Sequence, residues 1–184
     1  FYGLGIELGI PRLNTVLKRF GFGDKTNIDM PNEKSGLIAS AQWKMKNHKK
    51  KWYQGETAIT AIGQGYTLVT PIQLALATAK LINQDYILHP KLLKTVTTPS
   101  HINNNTINSK QSPDIELVKD AMSLVTKEGG TAAFIGRNSS YNMSAKTGTA
   151  QVFGLKKDEV YDESKLPDKL KDHALFIAFA PTEE

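Results

Sequence analysis

The 184-residue sequence contains no cysteine. This absence excludes disulfide bonds, thiolate metal sites and cysteine nucleophiles from the chain. No stretch reaches the roughly 18 consecutive apolar residues that a membrane-spanning helix needs. The four histidines, at positions 48, 89, 101 and 173, are scattered, and none lies at helical spacing from a second metal ligand. The sequence therefore predicts no metal site and no cofactor.

The remaining composition is that of one globular domain, with 40% apolar and 22% charged residues. The formal net charge of +5 suits an anionic substrate, a membrane surface or a nucleic acid. Part of the excess is local, because residues 44–51 contain five lysines and one histidine. No aromatic-interleaved or glycine-rich pattern accompanies them, so nucleic-acid binding is not expected. The segment is predicted to be a solvated basic loop.

Helix signals recur along the chain. Residues 1–9 predict a short buried helix, and residues 11–20 predict a second, amphipathic one. Residues 70–82 begin with a favourable Thr-Pro cap and are apolar on nearly all sides, so this helix is expected in the centre of the core. Residues 112–130 predict another capped helix. Its side chains expected to point inward are Ile115, Leu117, Val118, Met122 and Val125.

Strand signals are fewer. Residues 28–30 and 86–96 predict short strands, and residues 143–153 and 173–180 predict two longer ones. The highly charged segment 154–172 is predicted to be a mobile flap. Helices and strands mix without a regular βαβ repeat, so the predicted fold class is α+β rather than a doubly wound sheet.

The strand at 143–153 has unusual contents at its centre, where Lys146, Thr147, Gly148 and Thr149 replace alternating apolar residues. A glycine inside a strand often marks the close approach of a ligand or of another backbone. Flanked by a cation and two hydroxyls, Gly148 suggests an edge that is open to an anionic or peptide-like guest. A plain edge strand would also carry solvent-facing lysine and threonine. These four residues alone leave both interpretations open.

Lys146, Thr147 and Gly148 are also the third of three motifs of penicilloyl-serine transferases, after Ser-x-x-Lys and Ser-x-Asn or Ser-x-Asp. The surrounding sequence resembles class B penicillin-binding proteins, and among them the elongation-specific group, penicillin-binding protein 2. The segments that carry this resemblance are residues 55–65, 69–75, 130–132, 150–155 and 172–181. The resemblance runs over essentially the whole chain, and it favours a substrate-facing edge over a plain one.

The resemblance implies the fold of penicillin-binding transpeptidases and serine β-lactamases, an antiparallel sheet with helices packed on its faces. It also implies acyl transfer from peptidoglycan stem peptides through a serine acyl-enzyme, which β-lactams inhibit. Carried over residue by residue, Thr147 and Thr149 would bind the substrate carboxylate, and Lys146 would supply positive potential and relay protons. Gly148 would let the substrate backbone lie along the strand. The backbone N–H of Thr149 would form one half of the oxyanion hole.

Two other motifs of the family are missing or displaced. No Ser-x-x-Lys occurs in residues 1–184, so the nucleophilic serine is not in this chain. Ser140 and Asn142 match Ser-x-Asn, but only three residues separate Asn142 from Lys146, too few to fold back across a cleft. Residues 1–184 are therefore expected to be a single incomplete transpeptidase domain. It would lack the Ser-x-x-Lys and Ser-x-Asn/Asp segments upstream, and the last strand and helix downstream.

Two functions from different classes follow. The first is that the parent protein is a D,D-transpeptidase of cell elongation, with residues 1–184 inactive by themselves. The alternative is a non-catalytic binding or scaffold segment for a morphogenesis partner. The resemblance also implies the periplasmic side of the bacterial inner membrane, reached through an N-terminal anchor outside this sequence. The partners that it implies are MreC and RodA.

Overall fold

The computed structural model describes residues 1–83, 88–94, 113–150, 167–168 and 171–182. The chain forms two compact units, Phe1–Lys119 and Asp120–Glu184. In chain order, the described elements are α1 (Tyr2–Arg19), α2 (Ala41–His48), α3 (Gln54–Ala61), α4 (Pro71–Ile82), α5 (Pro113–Ser123), a 3₁₀ turn (Leu124–Thr126), α6 (Ala133–Arg137), β1 (Ser144–Ala150) and β2 (His173–Phe179). The fold class is α+β, as predicted. Among the described helices, none is both long and apolar enough to cross a bilayer.

Helix α1 consists of the two predicted helices, joined at a kink. Gly9 interrupts the helical backbone with φ 73° and ψ 157°, a conformation that L side chains rarely adopt. The prediction that the first of the two helices is buried is wrong, because Leu4 is 55% exposed. The side of α1 that is covered is the one at Gly5, where an added Cβ would lie 2.2 Å from the Cβ of Ala61 in α3. Glycine at position 5 is therefore what lets the two helices touch.

Helix α4 begins as predicted, with a reciprocal cap between Thr70 and Gln73. The Thr70 N–H donates to Gln73 Oε1 (2.9 Å), and the Gln73 N–H donates to Thr70 Oγ1 (3.3 Å). The Gln73 side chain is 2% exposed, and its Nε2 donates to the carbonyls of Asp24 (2.7 Å) and Ser35 (2.8 Å). One buried amide thus caps α4 and ties it to the loop that precedes α2. Helix α4 also buries Leu76, as expected of a core helix.

Neither predicted short strand is present in the described residues. Residues 29–30 form a bend. Residues 88–94 of the second segment are irregular, and the rest of that segment lies outside the described residues. Asp29 joins the two, because its carboxylate accepts the N–H groups of Leu92 (2.6 Å) and Leu93 (3.2 Å). These two hydrogen bonds hold the pKa of Asp29 below its ordinary value. Hydrogen bonds to the Asp29 side chain, rather than backbone bonds between paired strands, connect these two segments.

Lys44 is buried, which contradicts the predicted solvated basic loop. It lies in α2 and is 2% exposed. Its ammonium group donates to the carboxylate of Glu56 in α3 and lies 4.8 Å from the ring centroid of Tyr53. Burial raises the pKa of Glu56, but hydrogen bonds from Lys44 and from the Tyr53 N–H, together with the Lys44 charge, lower it by more. A lysine is buried here because a carboxylate meets it.

Helix α5 confirms the helix predicted before the glycine pair, but it ends at Ser123, and a 3₁₀ turn follows. Met122 is buried, as expected. Leu117 is 69% exposed and Val118 is 44% exposed, so the prediction that they point inward is wrong. Apolar spacing identifies the apolar side of a helix, whereas the neighbouring segments decide whether that side is covered.

Strands β1 and β2 form an antiparallel pair that runs from Ser144 opposite Phe179 to Ala150 opposite His173. The predicted strand at 173–180 is confirmed. The strand predicted at 143–153 is confirmed for its described part, and residues 151–153 lie outside the described residues. The predicted flap at 154–172 also lies outside them, except for residues 167–168 and 171–172.

Candidate functional site

The predicted site residues lie in the exposed half of β1. The strand begins with Ser144 and Ala145, which are 0% exposed, whereas Lys146, Gly148 and Thr149 are exposed and Thr147 is half-buried. A buried start thus anchors a strand whose second half faces solvent. This arrangement presents residues 146–149 at the surface without leaving them on a loose loop.

Alternation along β1 separates these residues by face. Thr147 and Thr149 share one face, and Lys146 and Gly148 share the other. On β2, the residue opposite Thr147 is Phe176, which is 43% exposed. Thr147 and Phe176 therefore share a face of the strand pair, which also carries Thr149 and which we call the hydroxyl face of β1.

The Lys146 side chain turns back toward the strand backbone. Its Nζ donates to the carbonyl oxygen of Thr147 at 2.5 Å. This contact places the ammonium charge beside the backbone carbonyl of Thr147. The Lys146 side chain leaves the strand on the face opposite to the Thr147 side chain and reaches the carbonyl by folding back. Two parts of the predicted site, the cation and the strand backbone, are thus brought together.

Gly148 has no packing reason to be glycine among the described residues. An added Cβ would meet one neighbouring atom within 4 Å, the Cβ of Leu175 at 3.8 Å, which is an ordinary van der Waals contact. Elsewhere in the same unit glycine is sterically required, as at Gly136, where an added Cβ would lie 2.0 Å from the carbonyl oxygen of Thr126. None of the described residues therefore fills the space beside Gly148, where a ligand can approach.

Thr131 is a site residue that the sequence reasoning did not assign. Its Oγ1 lies 3.2 Å from Oγ1 of Thr147, so a third hydroxyl joins the hydroxyl face. Sequence alone shows Thr131 only as a member of a family-like Gly-Thr-Ala segment. The available signal was its position directly after Gly129 and Gly130, a turn that returns the chain toward the coming strand.

The 3₁₀ turn and the strand end hold β1 in place. Buried Thr126 donates its hydroxyl to the carbonyl of Met143 (2.7 Å), next to the start of β1. The hydroxyls of Ser144 and Thr182 lie 3.1 Å apart, and the Thr182 N–H donates to the carbonyl of Asn142 (3.2 Å).

Within the described part of the chain, no three histidine or carboxylate side chains gather into a metal-binding group.

Comparison with known proteins gives a consistent result. Residues 1–184 match the family model described as the penicillin binding protein transpeptidase domain. The chain is 39% identical over 194 residues to the peptidoglycan D,D-transpeptidase MrdA of Salmonella typhimurium (strain SL1344), a match that covers 98% of this chain and 30% of the relative. The chain therefore spans less than a third of the length of that curated relative.

Solved structures agree with the sequence matches. PBP2 of Pseudomonas aeruginosa, determined in complex with WCK 5153, is 38% identical with a TM-score of 0.77, and the match covers 98% of this chain and 38% of that one. PBP2 of Helicobacter pylori, determined in complex with MreC, is 32% identical with a TM-score of 0.79. That match covers 99% of this chain and 31% of the other.

Proposed function

The chain belongs to the penicillin binding protein transpeptidase domain family, and we propose that it forms one wall of the active site of a peptidoglycan D,D-transpeptidase. The proposed enzyme is of the elongation-specific type, penicillin-binding protein 2. The observation that carries this proposal is the exposed half of β1, which presents Lys146, Thr147, Gly148 and Thr149 on a strand whose outer edge is paired with no other strand in the described part of the chain.

The substrate in this proposal is a peptidoglycan stem peptide that ends in D-alanyl-D-alanine and so carries a terminal carboxylate. The hydroxyls of Thr147 and Thr149 donate hydrogen bonds to that carboxylate, a charge-assisted interaction. Lys146 adds positive potential at the same end of the strand. Because no side chain projects at Gly148, the peptide backbone lies against the strand in the manner of an added strand. β-Lactams, which mimic the stem-peptide end, occupy the same place.

The backbone of Thr149 is proposed to donate to the oxyanion of the tetrahedral intermediate. In an antiparallel pair, the backbone groups of residues i and i+2 point to the same edge. Since the Thr147 carbonyl accepts a hydrogen bond from the Lys146 ammonium group, we infer that this carbonyl points away from β2. The N–H of Thr149 then points to the same edge, where a substrate carbonyl can reach it. Such a donor acts on charge that develops in the transition state.

The chemistry is acyl transfer in two halves. A serine oxygen outside residues 1–184 attacks the penultimate D-alanyl carbonyl and loses its proton, the peptide C–N bond breaks, and the leaving D-alanine nitrogen takes up a proton. An amine of a second stem peptide then attacks the acyl carbon of the ester and loses a proton, the bond between that carbon and the serine oxygen breaks, and the serine oxygen regains a proton. The hydroxyls of Thr147 and Thr149 hold the carboxylate in the first half, until D-alanine leaves, whereas the Thr149 N–H polarises the reacting carbonyl in both halves.

The proposal includes location and partners. The enzyme acts on the periplasmic side of the bacterial inner membrane, held there by an anchor on a segment outside this sequence. MreC is proposed as a partner, which the MreC complex of the Helicobacter pylori relative supports. RodA is proposed as a second partner from the family resemblance. A binding or scaffold segment without catalysis is the competing function for residues 1–184 taken alone.

Labelling with a fluorescent penicillin tests the proposal. The test uses residues 1–184 alone and the transpeptidase-length protein, which we define as this chain joined to the segments that its curated relatives carry beyond the matched region. We expect a covalent adduct on the transpeptidase-length protein and none on residues 1–184 alone, because the Ser-x-x-Lys serine is absent from the latter. The readout is in-gel fluorescence, confirmed by intact mass.

The matched control replaces the Ser-x-x-Lys serine of the transpeptidase-length protein by alanine, which should abolish the adduct. A transpeptidase-length protein that folds but takes no label would favour the scaffold function. An adduct on residues 1–184 alone would show that a nucleophile lies within them.

A further inference from the structure

We propose that Thr131 is a positioning residue that aims the Thr147 hydroxyl at the carboxylate of the ligand. The inference rests on the proposed function, because it assigns Thr147 the role of carboxylate donor. Thr131 itself is exposed, lies outside the Lys-Thr-Gly motif, and touches β1 through a hydroxyl contact, Oγ1 to Oγ1, at 3.2 Å.

When a ligand is bound, the number of protons that the two hydroxyls can donate decides which of them is the donor in the Thr131–Thr147 contact. Each threonine hydroxyl has one proton to donate and two lone pairs that accept. An ionised carboxylate only accepts, so the proton of Thr147 must go to the ligand. Thr131 is then the donor within the pair, and the Thr147 oxygen accepts from it. Accepting this bond polarises the Thr147 O–H and orients it outward.

The turn that carries Thr131 is held by its own backbone. The Gly130 N–H donates to the carbonyl of Lys127 (2.9 Å), and the Ala132 N–H donates to the carbonyl of Val125 (2.9 Å). Gly130 is sterically required, because an added Cβ would lie 2.3 Å from the carbonyl oxygens of both Leu124 and Val125. Ala132 is 5% exposed. The exposed hydroxyl of Thr131 therefore stands on a closely packed base.

The same base is fastened to β1. Thr126, in the 3₁₀ turn between α5 and the Thr131 turn, donates its hydroxyl to the carbonyl of Met143 at the start of the strand (2.7 Å). Ala145, two residues before Thr147, is 0% exposed. Buried packing on both sides thus fixes the separation of Thr131 from Thr147, as a positioning role requires.

The pair could instead serve only to fasten the loop to the strand, and the two roles predict different ligand dependence. A fastening role affects every ligand equally, since it acts through stability. A positioning role affects ligands that carry the carboxylate and spares those in which it is masked. Benzylpenicillin and its methyl ester provide this comparison, because they share the reactive β-lactam ring and differ in the charge that Thr147 is proposed to bind.

The test measures the second-order rate constant of acylation of the transpeptidase-length protein by both compounds. For Thr131→Val we expect the acid-to-ester ratio of rate constants to fall about tenfold, because the Thr147 hydroxyl is no longer aimed and its hydrogen bond to the charged carboxylate is lost. Thr131→Ser, which keeps the hydroxyl, should have a ratio within about twofold of that of the unsubstituted protein. The matched control is Thr182→Val, which breaks the hydroxyl pair at the buried end of β1 and should leave the ratio unchanged.

Equal losses with acid and ester in Thr131→Val, or no loss with either, would overturn the positioning role. A ratio that Thr131→Ser fails to restore would overturn it as well. If the unsubstituted transpeptidase-length protein is not acylated at all, the proposed function fails and this inference fails with it. If the protein is acylated but its acid-to-ester ratio is the same in Thr131→Val as in the unsubstituted protein, only the inference fails.

Discussion

Thr149→Pro in the transpeptidase-length protein is expected to lower the second-order rate constant of acylation by benzylpenicillin about 10²- to 10³-fold, the cost of losing one oxyanion donor. Proline removes the backbone N–H that we assign to the oxyanion hole, and it is tolerated in a strand where that N–H faces an open edge. Thr149→Val keeps the N–H and loses only the hydroxyl, so its loss should be about tenfold. Stopped-flow acylation kinetics measure both.

The difference between the two variants isolates the N–H. A proline variant no slower than the valine variant would contradict the oxyanion assignment. The thermal unfolding midpoint supplies a second check. If the Thr149 N–H were bonded to β2 instead, proline would break the strand pair and lower the midpoint, whereas an N–H at the open edge leaves the midpoint close to that of Thr149→Val.

Lys146→Met is expected to lower the same acylation rate constant about 10²-fold or more, which is typical of removing a group that transfers protons or stabilises charge in the transition state. Methionine keeps much of the side-chain length and apolar volume while it removes the ammonium that contacts the Thr147 carbonyl. Lys146→Arg should lose less, since it retains a cation, but its planar, always-charged group cannot relay protons as an amine does. The measurement is acylation at fixed ionic strength.

Lys18→Met is the matched control for this prediction. Lys18 is an exposed lysine in the last turn of α1, so the same change in net charge should leave the rate within about twofold. A comparable loss in both variants would mean that net charge alone drives acylation. Activity of Lys146→Met within about threefold of the unsubstituted protein would remove Lys146 from the site.

The sequence contained the local signals of several elements of the fold and of the site. Thr70 and Pro71 mark the start of α4 because capping is a contact among neighbours in the chain. Residues 173–180 form β2 because a short continuous apolar run ended by a proline is a local strand signal. In both cases the physical cause lies within a few residues. The Lys-Thr-Gly-Thr row alone also fits a plain edge strand, and the resemblance of the surrounding sequence to a family is what favoured the site.

The features that were mispredicted or missed depend on long-range contacts. Lys44 looks like one of several solvated lysines until Glu56 meets it across two helices. Leu117 and Val118 lie at the spacing expected of a buried helix face, but their side chains are exposed in α5. Thr131 has no chemical signal of its own, and its role emerges only when Gly130 returns the chain toward Thr147. A single sequence contains no direct record of such pairings.

The central claim, that β1 offers a substrate-facing edge at Thr149, is tested most directly by hydrogen exchange of the Thr149 amide in the transpeptidase-length protein. Without ligand, this N–H should exchange faster than the N–H groups that are bonded between β1 and β2. After acylation by benzylpenicillin, the bound acyl carbonyl should accept it, and exchange should slow by at least about tenfold. A Thr149 amide that is already protected without ligand, or whose exchange does not change on acylation, would contradict the account.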